Sequence, residues 1–127
     1  GEPTCALEML EKTAKYVKDK YHLPIRVNTN GLGNLYHGRD IVPELAEYID
    51  SVSISLNAAN AEEYNKVTRP AFDTAYEAML HFAEECNRMI KHTQLSIVDV
   101  LPEEDIKTCQ QIADERGIHL KIRHFSN

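Results

Sequence analysis

The sequence predicts an α/β protein in which short strands alternate with helices. Several segments repeat apolar residues at the helical period, and shorter segments between them alternate apolar and polar residues. Strands that alternate with helices pair in parallel through right-handed crossovers, and helices then cover at least one face of the sheet. The 127 residues correspond to a single domain, 1–127. A closed eight-stranded barrel needs about 250 residues, so we expect a partial (βα) barrel or an open sheet.

The first part of the chain is predicted to contain two helices around one strand. Apolar residues at the helical period predict a helix over residues 5–21, and Pro24 cannot continue it. Residues 24–28 are predicted as a short strand, and residues 30–34 as a turn-rich loop. A short helix is expected over residues 43–49, where a proline is well placed in the first turn.

The middle of the chain carries the clearest strand, over residues 51–57. Asn60 is predicted to cap a short helix, because Glu63 stands in the capping-box position. The longest helix is expected over residues 73–91.

The last part of the chain repeats the alternation of strand and helix. A strand is predicted over residues 94–100 and a helix over residues 102–116, with Gly117 as the stop of that helix. A fourth strand is predicted over residues 119–125.

One side of the predicted sheet is polar. In the clearest strand, Val52, Ile54 and Leu56 point one way, and Ser53, Ser55 and Asn57 point the other. The other strands repeat this alternation more loosely. The apolar side is expected to meet the helices. The polar side either lines a cavity that holds a ligand or ordered water, or is the solvent-facing half of an exposed sheet.

Composition narrows the class of function. The net charge of −6 argues against a nucleic-acid-binding surface, and no apolar run is long enough for a membrane span. Cys5, Cys86 and Cys109 match no zinc, redox or cluster spacing, which favours a reduced, cytoplasmic protein without a metal site among these residues. The chain begins at Gly1 without Met and lacks a signal peptide, so it is expected to be processed, truncated or incomplete.

Short polar motifs lie at the predicted carboxyl ends of the strands, where ligands bind in α/β folds. They read Gly1-Glu2-Pro3-Thr4, Val27-Asn28-Thr29-Asn30-Gly31, Ser53-Ile54-Ser55-Leu56-Asn57-Ala58 and Val98-Asp99-Val100-Leu101-Pro102. In order and spacing these motifs resemble the radical S-adenosylmethionine (SAM) superfamily, and most closely its TatD-associated group. The resemblance implies a partial barrel of the radical SAM type, of which this chain is the downstream part.

The resemblance also implies a SAM site. Glu2 would hold the amino group of SAM, Thr29 and Asn30 would lie nearby, and Ser55 and Asn57 would approach the ribose or the carboxylate. The full set of implied SAM-binding residues is Gly1, Glu2, Thr29, Asn30, Ser55, Asn57, Asp99 and Arg123. No catalytic residue is assigned, because the chemistry belongs to the cofactors.

The iron–sulfur cluster of the superfamily has no ligands in this chain. Its Cys-x3-Cys-x2-Cys signature, which binds a [4Fe–4S] cluster, would precede Gly1. The resemblance therefore implies that the chain alone is inactive. The enzyme containing it would generate a 5′-deoxyadenosyl radical that abstracts hydrogen from a substrate of unknown identity, and would need a reducing partner protein.

Simpler interpretations stand beside these. Glu2 suits the first turn of a helix, Thr29-Asn30-Gly31 suits an ordinary turn, and Asp99 suits a loop. The chain could also be a non-enzymatic, degenerate barrel module that binds a protein partner or a nucleotide. An aldolase-type barrel would need a lysine at a strand end, whereas Lys121 lies in the middle of its strand.

Overall fold

The computed structural model describes residues 2–124 of the chain. Within this range, four strands form one parallel sheet whose order is the order of the chain. The strands are β1 (Arg26–Thr29), β2 (Ser51–Ser55), β3 (His92–Val98) and β4 (His119–Arg123). The predicted α/β class with parallel strands is therefore confirmed. Both a barrel segment and an open sheet have strands in this order and direction.

Helices connect the strands and occupy the segments before and between them. A 3-10 turn over Pro3–Ala6 opens the described range. The helices are α1 (Leu7–Tyr21), α2 (Gly33–His37), α3 (Val42–Tyr48), α4 (Ala61–Thr68), α5 (Ala75–Met89) and α6 (Glu103–Glu115). Among residues 2–124, no helix combines the length and the apolar character needed to cross a membrane.

The predicted elements differ from the observed ones mainly at their ends. Helix α2 begins inside the segment predicted as a loop, because a helix of five residues is too short to show a period. Strand β2 stops two residues early, since Asn57 adopts a left-handed backbone with φ of 68°. The final strand ends at Arg123, and Phe125, its predicted last residue, lies outside the described residues.

The apolar face of the sheet packs against the helices, as predicted. Val52, Ile54 and Leu56 are 3%, 0% and 0% exposed. Leu95 lies beside Ile54 in the parallel register, Leu120 lies beside Leu95, and all three are buried. Removing these side chains from water supplies the main stabilisation of the sheet.

The opposite face of the sheet is polar on all four strands. Its side chains are Arg26, Asn28, Ser51, Ser53, Ser55, His92, Gln94, Ser96, Val98, His119, Lys121 and Arg123. Ser53 and Ser96 on the two central strands are buried, whereas the residues of the edge strands are exposed. Gln94 donates a 3.0 Å hydrogen bond from Nε2 to Oγ of Ser53. The shared polar side predicted from the alternation is therefore confirmed.

Candidate functional site

The carboxylate of Glu2 joins the first two motifs at the carboxyl edge of the sheet. Its Oε2 accepts hydrogen bonds from the backbone N–H of Thr4 at 3.0 Å, the hydroxyl of Thr4 at 2.6 Å and the hydroxyl of Thr29 at 2.7 Å. Its Oε1 accepts a 2.7 Å bond from the backbone N–H of Asn30. Three of the predicted site residues, Glu2, Thr29 and Asn30, are thus bonded to one another.

The same bonds give Glu2 a structural role. It is the N-cap of the 3-10 turn, and so it lies one position before the first turn in which the simpler interpretation placed it. A carboxylate offers about four lone-pair positions, and three of the four bonds converge on Oε2. Oε1 therefore keeps the capacity to accept one further donor, such as an ammonium group.

The segment after β1 is a turn held against the core. The Thr29 hydroxyl accepts a 3.1 Å bond from Gly31 N–H, and Asn30 Oδ1 accepts a 3.0 Å bond from Leu32 N–H. Gly31 has a φ of 77°, and a Cβ there would lie 2.9 Å from Cγ2 of Ile54 and 2.9 Å from Cγ of Met79. Only glycine fits both the backbone and the space, so this turn fixes where Asn30 lies.

Asn30 and Asn57 line one cleft of about 260 Å³ beside the Glu2 cluster. Asn30 uses Oδ1 within the turn, which leaves its Nδ2 as a donor. The side chain of Asn57 has no hydrogen-bond partner among residues 2–124. The cleft therefore combines two available amides with walls that are largely apolar and aromatic, as small-molecule sites usually do.

The aromatic walls of this cleft were not predicted from the sequence. Tyr36, Tyr64 and Phe72 line it together with Leu32. Tyr64 is 1% exposed, and its ring meets that of Tyr76 edge to face at 5.2 Å. These residues belong to α2, to α4 and to the loop after α4. Their position in the segments that follow β1 and β2 could have marked them as candidates for a site. The sequence could not show that they come together, because this depends on tertiary packing.

Ser55, Asp99 and Arg123 form a second group on the same edge of the sheet. Ser55 lies on the polar face in register with Ser96, and its hydroxyl has no partner among residues 2–124. Asp99 donates a 2.9 Å backbone bond to Arg123, and its Oδ2 lies 3.0 Å from Nδ1 of His124. Strand spacing places the Cα atoms of Ser55 and Arg123 about 12 Å apart.

The predicted site residues therefore fall into two groups rather than one. Glu2, Thr29 and Asn30 form a bonded cluster, and Asn57 shares the cleft beside it. The other three residues, Ser55, Asp99 and Arg123, do not line this cleft. Gly1 lies outside the described residues.

The three cysteines do not suit a cluster. Cys86 and Cys109 are fully buried, and burial raises the pKa of Cys86 to about 12 and of Cys109 to about 11. Cys5 lies in the 3-10 turn, far along the chain from both. In the range 2–124, no three His, Cys, Asp or Glu side chains are grouped so that they could hold a metal ion. These thiols therefore do not fit a [4Fe–4S] cluster.

Comparison with protein-family models, with curated proteins and with solved structures finds no match to this chain. The fold is that of an α/β protein with polar side chains gathered at the carboxyl edge of a parallel sheet. The groups available there are a carboxylate, hydroxyls, amides and a guanidinium, which suit a polar organic ligand that carries an amino group.

Proposed function

We propose that this chain binds SAM at the carboxyl edge of the sheet, as part of a radical SAM enzyme. The observation that supports the proposal is the bonding of the Glu2 carboxylate to Thr29 and to Asn30. These residues come from the two motifs that carry the resemblance, and they are 27 and 28 positions apart. A carboxylate with one remaining acceptor position fits the amino group of SAM.

Each remaining group has a proposed part in binding. The amide of Asn57 and the hydroxyl of Ser55 have no partners among residues 2–124, so they can bond the ribose hydroxyls or the carboxylate of SAM. Asp99 and Arg123, at the ends of the next two strands, are proposed as more distant contacts. The apolar walls of the neighbouring cleft exclude water from that side of the ligand.

Bound SAM would supply the radical chemistry after it accepts an electron from the cluster, and the residues of this chain would hold and position it. The cluster that reduces SAM in the superfamily does not fit Cys5, Cys86 and Cys109, so its ligands are proposed to lie outside residues 2–124. The reducing partner protein, the unknown substrate and the cytoplasmic location remain parts of the same proposal.

Isothermal titration of SAM into the chain tests the proposal. Ser55→Ala should weaken SAM binding about fivefold through loss of one hydrogen bond. Ser51→Ala is the matched control, because it lies on the same strand and the same face at the amino end, about 13 Å away. Absence of saturable SAM binding, or equal effects of the two variants, would contradict the proposal.

The lining of the cleft also favours a second candidate, a module that binds a nucleotide without radical chemistry. Its aromatic walls and the amides of Asn30 and Asn57 would suit a nucleobase as well as they suit SAM. Titration with adenosine triphosphate distinguishes the candidates. A module would bind the nucleotide at least as tightly as SAM and with the same sensitivity to Ser55→Ala, whereas the SAM site should prefer SAM, which alone of the two carries an aliphatic ammonium group.

A further inference from the structure

The amino edge of the sheet, opposite the candidate SAM site, contains a basic cleft of about 420 Å³. Its basic side chains are Arg26 at the start of β1, His92 at the start of β3, His119 at the start of β4, and Lys91 just before β3. Among the described residues, no acidic side chain lines this cleft. This is unexpected in a chain that has 20 Asp and Glu residues against 14 Lys and Arg residues.

The basic side chains of the cleft are not bonded within the part of the chain that the structure describes. Arg26, Lys91, His92 and His119 make no hydrogen bond or ion pair through their side chains among residues 2–124. The carboxylate of Asp50 interacts with Lys91, because the pKa of Asp50 is lowered first by the hydrogen bond from Ile25 N–H and also by the charges of Lys18 and Lys91. However, Asp50 is already bonded to the backbone N–H of Ile25 at 2.7 Å and to Lys18 at 3.1 Å.

The polar face continues this charge pattern along the sheet. None of its twelve side chains is acidic, as the parallel register of the four strands shows. Hydroxyl and amide groups lie between the basic residues, among them Ser51 and Gln94. Arg26 and His92 flank Ser51 in one register row, so their Cα atoms are about 10 Å apart. That gap admits one tetrahedral oxyanion bonded from both sides.

We propose that this cleft is a binding site for a small phosphate monoester. The guanidinium of Arg26 and the ammonium of Lys91 line the same cleft and carry like charges, and a bound dianion offsets their repulsion. A guanidinium can bond two phosphate oxygens at once, and an ammonium together with the hydroxyls can reach the others. The cleft is larger than a phosphate ion and lies in the size range of small-molecule sites, so it also has room for the organic part of the ester.

A small ester suits the site better than a nucleic acid. The polar face is basic, but the rest of the chain carries the acidic residues that make the net charge −6. A long polyanion would extend beyond the cleft and meet these acidic helical surfaces, whereas a ligand enclosed by the cleft would not. The site is at the opposite edge of the sheet from Glu2 and Asn57, and it is independent of SAM binding.

The experiment is a nuclear magnetic resonance titration of the chain with ribose 5-phosphate, compared with ribose and with inorganic phosphate. Ribose 5-phosphate should saturate the cleft and shift the amide signals of Ser51, Thr93 and Gln94. Ribose should not bind, and inorganic phosphate should bind more weakly than the ester. Addition of SAM should leave the affinity for the ester unchanged. Binding of ribose as tight as that of its phosphate, or of free phosphate as tight as that of the ester, would overturn the proposal.

Charge variants locate the site. Arg26→Gln should weaken ribose 5-phosphate binding about tenfold, as expected for a lost charged hydrogen bond, and Arg26→Lys should weaken it less. Lys12→Gln removes the same charge from the exposed surface of α1 and should have no effect. Equal effects of Arg26→Gln and Lys12→Gln would refute the proposed site. Affinity that rises with the length of an oligonucleotide would instead indicate a polyanion surface and also refute it.

Discussion

The hydroxyl of Thr29 donates a 2.7 Å hydrogen bond to the carboxylate of Glu2, across 27 positions of the chain. Thr29 is 4% exposed and lies at the end of β1. Through this bond the segment before α1 is attached to the carboxyl edge of the sheet. The backbone N–H of Asn30 bonds the other oxygen of the same carboxylate, so one side chain holds both motifs in place.

Replacing Glu2 by Gln should destabilise the fold by about 1–3 kcal/mol. The amide NH₂ of Gln would face donor groups on Thr4, Thr29 or Asn30, whichever way it is turned. Glu8→Gln is the control, because Glu8 is an exposed acid that forms an exposed ion pair with Lys12, and it should change stability by less than about 0.5 kcal/mol. Urea unfolding measures both. Similar midpoints for the two variants would mean that the Glu2 bonds do not support the fold.

Replacing Gly31 by Ala should cost more than the same change at Gly38. Both glycines have a positive φ, of 77° and 66°, so each variant has a backbone penalty of about 1–2 kcal/mol. At Gly31 the new methyl group would also crowd Ile54 and Met79 at 2.9 Å, whereas nothing lies within 4 Å at Gly38. Crowding should add about 1–3 kcal/mol. The difference in thermal stability between the two variants measures the cost of crowding. Equal losses of stability would be inconsistent with the close packing of Gly31 against Ile54 and Met79.

Replacing Asn57 by Gly should weaken SAM binding about fivefold while changing stability little. Glycine keeps the left-handed φ of 68° and removes only the amide. Asn57→Ala should weaken binding similarly but also destabilise the fold by about 1 kcal/mol, because alanine is strained in this conformation. Calorimetric titration with parallel urea unfolding separates the two effects. Full SAM affinity in Asn57→Gly would remove this residue from the proposed site.

Replacing Ile54 by Ala should have the opposite effect. Ile54 is 0% exposed on the helix-facing side of β2, so its truncation leaves a cavity and should cost about 2–5 kcal/mol of stability. SAM affinity of the folded fraction should fall less than it does in Asn57→Gly, because Ile54 touches the proposed site only through the turn at Gly31. A variant that folds normally and loses only binding would show that the two faces of the strand are assigned the wrong way round.

The stability of the protein should fall in acid partly because of Asp50. The hydrogen bond from Ile25 N–H and then the pair with Lys18 hold the pKa of this carboxyl below its usual value. Its contribution is therefore complete above the unfolded pKa of about 3.9 and is lost as the pH falls through the lower folded value. Asp50→Asn should be less stable at pH 7, and the difference should shrink as the pH falls below about 4. Asp50→Ala, which also leaves Ile25 N–H without its partner, should be less stable still at neutral pH. An unchanged gap between wild type and Asp50→Asn across this range would contradict the assignment.

The three thiols should differ in reactivity in the folded protein. Burial raises the pKa of Cys86 to about 12 and that of Cys109 to about 11, and both side chains are fully buried. Cys5 is partly exposed, although burial and the nearby Glu2 carboxylate also raise its pKa. A disulfide reagent at pH 8 should therefore modify Cys5 slowly, and the other two only after unfolding. Cys5→Ser should abolish the reaction of the native protein with the reagent. Rapid modification of a second cysteine in the folded protein would contradict the packing of α5 or α6.

Alternation of residue types along β2 was enough to predict which side chains meet the helices. Ile54 is buried and Ser55 lies on the polar face because successive side chains of a strand point to opposite sides. The order of the motifs likewise placed Glu2 near Thr29, but the sequence could not give the pairing of their atoms. That pairing depends on the turn at Gly31, which is fixed by its close approach to Ile54 and Met79.

The aromatic cleft could not be predicted from the sequence, for a different reason. Tyr36 belongs to a five-residue helix that is too short for its period to be recognised, and it lines the same cleft as Tyr64 only because of tertiary packing. The left-handed backbone of Asn57 was also missed, although asparagine tolerates this conformation better than most residues. Local patterns predict the faces of elements well, whereas a site made by several connecting segments depends on how those segments pack.

The identity of sheet order and chain order has a consequence for how this architecture can change. Each strand pairs with the next one along the chain. A strand and the helices that follow it therefore form a unit that hydrogen-bonds only to the strands of the units before and after it. A further unit could be added beside β1 or β4, or an edge unit exchanged, without rerouting the chain between the others. Such a fold can grow by duplication of a unit beside either edge strand. Each added unit would extend the amino edge and the carboxyl edge of the sheet together, and with them both proposed binding sites.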